Sequence, residues 1–297
     1  MKHSGTDDIL SRLTEAYTEL SPQLQRAADY VLRNPNEVGV HSMRRVAASA
    51  SVNPNTLVRL ARAVGFDNYQ SFREPFSRRL SQGGEDYFPD RARWLQSLAQ
   101  GGSDGLLFRD MAATSLANVE QMFSGSTPDE MRRVAELVVA APDTYVLGVG
   151  SAHSLAHLFW YIARMALDTL HEVPRQGNLP VDDIANIHPG DVLIAMTFAP
   201  YRTDVVEAVT LARERGGTIV AITDRRTSPI ALQADHVFVT PTNTPQFFPS
   251  LSAAFTLVET LLAFVIAHAG ESAIENINRF HRARYRAGVY ASGEADE

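Results

Sequence analysis

The stretch Met43-Arg44-Arg45-Val46-Ala47-Ala48-Ser49-Ala50-Ser51-Val52-Asn53-Pro54-Asn55-Thr56-Leu57-Val58-Arg59-Leu60-Ala61-Arg62 reads as two short helices joined by a tight turn. Asn53-Pro54 is a start signal, a capping residue followed by proline at the first helical position. Two helices that cross closely need a small residue where they meet. Ala47 supplies it, and Ser51 sits in the turn. Val46, Ala50, Val52, Leu57 and Leu60 form the shared inner side. Asn53, Asn55, Thr56, Arg59 and Arg62 are left for the outer face of the second helix, and Arg44 joins them from the first. An Asn amide pairs with adenine, and an Arg fork pairs with guanine or a phosphate. The N-terminal turn of such a helix enters the major groove. An ordinary helical hairpin with an Arg-rich solvated face has the same pattern, so these residues alone leave both readings open.

The flanking chain is helical as well. Ile9, Leu10, Leu13, Tyr17 and Leu20 keep helical spacing, and Ser21-Pro22 opens a helix that runs to Arg33 and stops before Asn34-Pro35. The motif helices, near 43–50 and 54–64, end at Gly65-Phe66, and Asn68 caps a last helix to about 80 that Pro75 should kink or shorten. Charge sets this segment apart. The whole chain of 297 residues carries −7, yet residues 1–84 hold 11 Lys and Arg against 8 Asp and Glu, a balance of +3. All but one of those cations are Arg. A basic head on an acidic body fits a DNA-binding module fused to a domain that does not bind DNA.

Residues 9–80 resemble the N-terminal domain of RpiR-type bacterial transcription regulators. The resemblance is carried by Leu20-Ser21-Pro22, by Val46-Ala47 and by the run Val52-Asn53-Pro54-Asn55-Thr56-Leu57-Val58-Arg59-Leu60-Ala61-Arg62-Ala63-Val64-Gly65-Phe66, with Asn53 where the family usually has Ser. Either residue caps a helix.

Residues 81–105, with Gly83-Gly84 and Gly101-Gly102, read as a linker holding a short helical piece at 92–100. Helices are expected at 106–123 and 128–140, the second opened by Thr127-Pro128-Asp129-Glu130. Apolar strand-like runs then alternate with amphipathic helices: 144–147, helix 152–168, 192–197, helix 203–215, 218–222, 236–240 and helix 249–268. That alternation predicts a parallel sheet covered on both faces, with a ligand crevice at the carboxyl ends of the strands.

Gly148-Val149-Gly150-Ser151-Ala152-His153-Ser154 joins a strand to a helix, where glycines allow close backbone approach and free N–H groups face an anion. His153 stands where a dinucleotide fingerprint needs its third glycine, which argues against NAD, and no P-loop is present. The second loop, Phe198-Ala199-Pro200-Tyr201-Arg202-Thr203-Asp204, follows Thr197, and Thr203 is the expected N-cap of its helix. Residues 106–286 resemble the sugar isomerase (SIS) domain that follows the helix-turn-helix in RpiR-type regulators, through the 148–154 loop and the runs 191–197 and 218–224.

SIS domains that hold sugar phosphates usually carry G-x-G-x-S and then S-x-S-G-x-T. Here Ala152, Ala199 and Pro200 replace cradle residues, and Tyr201 and Arg202 have arrived. The resemblance therefore implies an anionic effector, a sugar phosphate or a sugar acid. Its expected contacts are Gly148, Gly150, Ser151, His153, Ser154, Thr197, Tyr201, Arg202 and Thr203.

His153, His157, His171 and His188 fall near the expected crevice. His153 and His157 lie one helical turn apart, with no acid nearby in sequence to complete a metal site. His153 or Glu172 could serve as an isomerase base, although structural roles are commoner for such groups. Glu259, inside an apolar helix, is either a dimer-interface group or a crevice carboxylate.

The expected architecture is multidomain. An all-α helix-turn-helix domain (1–80) and the linker precede an α/β SIS domain with a parallel sheet flanked by helices (106–286) and a tail (287–297). Zero cysteines exclude disulfides, thiolate-bound zinc and thiol catalysis. The reading is a cytoplasmic, ligand-responsive regulator and not an enzyme. It has no cofactor, no metal and no membrane span. Its partners are operator DNA, a small anionic metabolite and a second copy in a homodimer or dimer of dimers. The rival reading is a sugar-phosphate isomerase with an accessory helical domain.

Overall fold

The computed structural model describes residues 6–40, 42–81, 87–100 and 104–290. The chain divides into two compact units, residues 1–108 with 244–248, and residues 109–243 with 249–297.

The first unit is all helical: α1 (Thr6–Ala16), α2 (Pro22–Arg33), α3 (Pro35–Val40), α4 (Met43–Ser49), α5 (Pro54–Ala63), α6 (Tyr69–Ser81) and α7 (Tyr87–Gln100). Asn34-Pro35 does stop α2, but Pro35 immediately starts α3, because proline is preorganised for a first helical turn. Pro75 stays inside α6. The expected linker at 81–105 contains α7, which is longer than the piece read from sequence. The core gathers one face of each of α1–α6: Ile9, Leu13, Ala27, Val31, Val46, Leu57, Leu60, Phe72 and Phe76 are all buried. Arg73 ties α6 to the end of α3 by donating from Nε to the Val38 carbonyl at 3.1 Å and from Nη2 to the Gly39 carbonyl at 2.9 Å.

In the second unit α8 (Asp104–Ser124, whose first residues belong to the other unit) and α9 (Pro128–Ala140) lead into β1 (Thr144–Gly148). Then follow α10 (His153–Ala163), β2 (Leu170–Val173), α11 (Pro180–Asp183), β3 (Val192–Met196), α12 (Thr203–Glu214), β4 (Thr218–Thr223), β5 (His236–Val239), α13 (Ser252–His268) and α14 (Gly270–Arg286). All five strands are parallel, in the order β2-β1-β3-β4-β5. α9 opens with the expected capping box: Thr127 accepts from the Glu130 N–H at 3.2 Å, and Glu130 accepts from the Thr127 N–H at 3.0 Å.

Strand alternation sorts the side chains onto two faces. Val146, Leu170, Ile194, Met196, Val220 and Ile222 pack with α9, α10 and α13. Leu147, Val173, Leu193, Ala195, Ile219 and Ala221 pack with α11 and α12. Both faces are covered, as the apolar strand runs require. The buried side of α13 faces the first cluster, while Glu259 lies on its exposed side. Among the described residues no single helix is long and apolar enough to cross a membrane.

Candidate functional site

The turn between α4 and α5 is built by local chemistry. Ser42 caps α4 by accepting from the Arg45 N–H at 3.4 Å. The Val52 N–H donates to the Ala47 carbonyl at 2.9 Å, closing the turn over the small residue at the crossing. Ser51 takes a left-handed conformation, with φ 54°. Asn53 then caps α5, its side-chain oxygen accepting from the Asn55 N–H at 3.0 Å.

Leu57, Leu60 and Ala61 turn inward, and Asn53, Asn55, Arg59 and Arg62 are exposed, with Arg44 exposed on α4. Thr56 departs from expectation. It is only 9% exposed, because the helical phase puts it beside Leu57 and Leu60, and this takes it out of the outer face. Arg62 also donates weakly to the Asp67 carbonyl, at 3.4 Å.

At the carboxyl ends of the strands, β1 and β3 run in register to Gly148 and Met196, and the 148–154 and 197–203 loops leave from there. Gly148 has a packing reason: a Cβ there would collide with the Ala152 carbonyl. Gly150 has a conformational one, φ 65°, with open space around it. Ser151, His153 and Ser154 are exposed, and the Ser154 hydroxyl donates to the Ser151 carbonyl at 2.7 Å.

Thr197 is buried, its hydroxyl accepting from the Arg202 N–H at 3.3 Å. Arg202, rather than Thr203, occupies the N-cap position of α12, so Thr203 is the first helical residue. The Arg202 fork is already engaged. It meets Asp204 through Nε–Oδ1 at 3.2 Å and Nη2–Oδ2 at 2.6 Å, and it holds the Asp204 carboxyl below its ordinary pKa. Among the described residues, the buried Tyr201 hydroxyl has no hydrogen-bond partner of ordinary geometry. Burial, and then the nearby Asp224 carboxylate, raise its pKa. Asp224 and Arg225 extend this end of the sheet from β4, paired at 2.9 Å, with the Arg225 guanidinium 5.8 Å from the Tyr201 ring centre. Neither stands among the effector contacts expected from sequence, since a charged pair after a strand looks like an ordinary turn.

The histidines separate. His171 lies on β2 and pairs with Asp143, which precedes β1, at 2.5 Å, while His188 precedes β3. Both sit toward the amino ends of strands, away from the expected crevice. His153 and His157 stay together on α10. The acid that sequence order did not supply comes from β2: Glu172 lies 2.8 Å from His157 Nδ1 and 3.7 Å from His153 Nε2. Glu172 lies inside β2.

Two family models match this pair of units: the helix-turn-helix domain of the rpiR family over residues 7–83, and the SIS domain over residues 138–267. The chain belongs to the RpiR-type transcriptional regulators. An uncharacterized HTH-type transcriptional regulator of Haemophilus influenzae is 26% identical to this RpiR-type chain over 250 residues, 80% of the chain and 81% of the relative. The HTH-type transcriptional regulator RpiR of Escherichia coli K12 is 25% identical, over 82% of the chain and 79% of the relative. The solved structure of Vibrio vulnificus NanR complexed with ManNAc-6P shares the fold, with a TM-score of 0.57 and 18% identity. The match covers 94% of this chain and 98% of that one.

Proposed function

We propose that this RpiR-type regulator binds operator DNA through α4 and α5 and responds to a small anionic metabolite at the carboxyl ends of β1 and β3. The observation that carries the reading is the α5 face. Leu57, Leu60 and Ala61 anchor the helix, and Asn53, Asn55, Arg59 and Arg62 stand outward from it in the N-terminal segment whose balance is +3. Such side chains suit base edges and phosphates. Two copies would present two such helices to paired half-sites. Leu116 and Phe123 on α8, and Ile274 and Tyr285 on α14, are large exposed apolar side chains suited to a contact between copies. The protein then works in the cytoplasm, without catalysis.

For the effector, Gly150 and Ser151 offer backbone N–H groups and a hydroxyl, and Arg202 adds a cation. A sugar phosphate and a sugar acid both fit that chemistry. NanR, which shares the fold, is complexed with a sugar phosphate in its solved form. A ligand regulates only through different affinities for the DNA-competent and incompetent arrangements.

The test is a gel shift with DNA from upstream of the chain's own gene, with and without candidate metabolites, beside isomerase assays on pentose and hexose phosphates. A specific, metabolite-sensitive shift supports the regulator. Turnover without a shift supports the isomerase.

A further inference from the structure

His153 and His157 stand four positions apart on α10, so their side chains rise from the same face of the helix, one turn apart. That face lies over β2, where Glu172 shares with Leu170 the side of the sheet on which α10 packs. Three elements of chemistry thus meet: two imidazoles from one helix and a carboxylate from an edge strand. Their candidate donor atoms all lie within 4.8 Å of one another.

We propose that His153, His157 and Glu172 form a binding site for a divalent transition-metal ion of the zinc class. Donor chemistry comes first. Two neutral imidazoles and a carboxylate are a ligand set that borderline ions such as Zn2+ accept, whereas Mg2+ and Ca2+ prefer all-oxygen surroundings. A chain without cysteine has no thiolate to offer such an ion, so imidazole nitrogen and carboxylate oxygen are the natural donors.

Spacing comes second. Zinc bonds of 2.0–2.1 Å at tetrahedral angles set neighbouring ligand atoms about 3.3 Å apart. The 2.8 Å separation of His157 Nδ1 from Glu172 Oε1 and the 3.7 Å separation of His153 Nε2 from the same oxygen straddle that value. The third separation, between the two imidazole donors, is within 4.8 Å.

Rigidity and access come third. The Glu172 side chain is 18% exposed and fixed in the sheet, while the two imidazoles are about half exposed. The His157 ring is steadied by Trp160 at 5.5 Å and Tyr161 at 6.0 Å between centres. Three protein ligands with a solvent-facing side leave a fourth position for water or for a donor atom of a small molecule. The site shares His153 with the expected effector contacts, but its test reads metal binding rather than DNA binding.

The full-length chain, free of any affinity tag and stripped with chelator, is titrated with Zn2+ by calorimetry and with Co2+ by visible absorption, with Mg2+ as the control ion. The expected result is one saturable ion per chain at micromolar free metal, a four-coordinate Co2+ spectrum and no response to Mg2+. His157→Ala and Glu172→Gln should each weaken Zn2+ binding roughly tenfold or more. His171→Ala, which alters a histidine paired to Asp143 elsewhere on the sheet, should leave it unchanged. His153→Ala and a circular dichroism check keep the result readable if one variant is misfolded. Absence of saturable binding by the parent chain would overturn the proposal. So would unchanged affinity in folded His157→Ala and Glu172→Gln. A failed gel shift alongside normal Zn2+ binding would count against the regulator reading and leave the metal site standing.

Discussion

Gly148 and Ala152 approach so closely that a methyl group on the glycine would run into the alanine carbonyl. The first glycine of the strand-to-helix loop is therefore required by packing of the chain on itself. Gly148→Ala should destabilise the fold by about 1–3 kcal/mol, the usual cost of an extra group in a filled space. Urea unfolding of the full chain checks this, and parent-like stability would show that the loop relaxes freely.

Ser51 holds φ 54° in the turn between α4 and α5. Serine tolerates that region poorly and a β-branched residue worse. Ser51→Val should cost about 1–2 kcal/mol and weaken DNA binding by disturbing the angle between the two helices. Hydrogen exchange across 43–63, read beside a gel shift, measures both effects.

Arg59 is exposed on α5, with its helix anchored by other residues. Arg59→Ala should leave thermal stability almost unchanged and weaken operator binding by roughly 1–3 kcal/mol if it reads a base. A loss uniform across operator sequences would mark a phosphate contact instead. Unchanged binding would remove α5 from the interface.

Asp183 has a side chain only 2% exposed. It accepts from the Arg175 backbone N–H at 2.5 Å, from Arg175 Nε at 2.7 Å and from Asn178 at 2.7 Å. Burial alone would raise its pKa, but these donors outweigh it and hold the carboxyl below the ordinary value. A depressed folded pKa stabilises above the unfolded value, near 3.9, and that contribution disappears as pH falls through the folded one. Asp183→Asn should cost about 1–3 kcal/mol at neutral pH and flatten the acid side of the stability profile below about pH 4. Denaturant melts from pH 7 downward test the sign.

A sugar phosphate or sugar acid that occupies the proposed crevice should raise the melting temperature, and Ser151→Ala and Arg202→Ala should each reduce the shift. Arg202 must leave Asp204 to take such a ligand, so Asp204→Asn should strengthen binding. A shift that survives both alanine substitutions unchanged would locate the effector elsewhere.

The helical head and the parallel sheet were legible because their signals are local. The Ser21-Pro22 and Thr127-Pro128 starts and the apolar runs of β1, β3 and β4 each read within a few residues. Thr56 departs from the outward place its polarity suggests because the helical phase joins it to Leu60. The nearness of Glu172 to His157 was out of reach for a different reason. Fifteen residues separate them, and only the strand order, with β2 outside β1, brings the acid beneath the helix. The engagement of Arg202 is likewise invisible in sequence, since nothing in a one-dimensional pattern shows that Asp204, two residues on, folds back to meet it.

The cap at the start of α5 has a bearing on what a duplex would meet there. The amide oxygen of Asn53 is turned back to the Asn55 N–H, so the amide's NH2 half is the part directed outward. Paired adenine recognition needs oxygen and nitrogen side by side toward the base edge. In the proposed complex Asn53 is thus a one-handed donor, matched to a phosphate oxygen or a lone base acceptor. The two-handed adenine contact falls to Asn55, whose side chain has no such duty to its own helix.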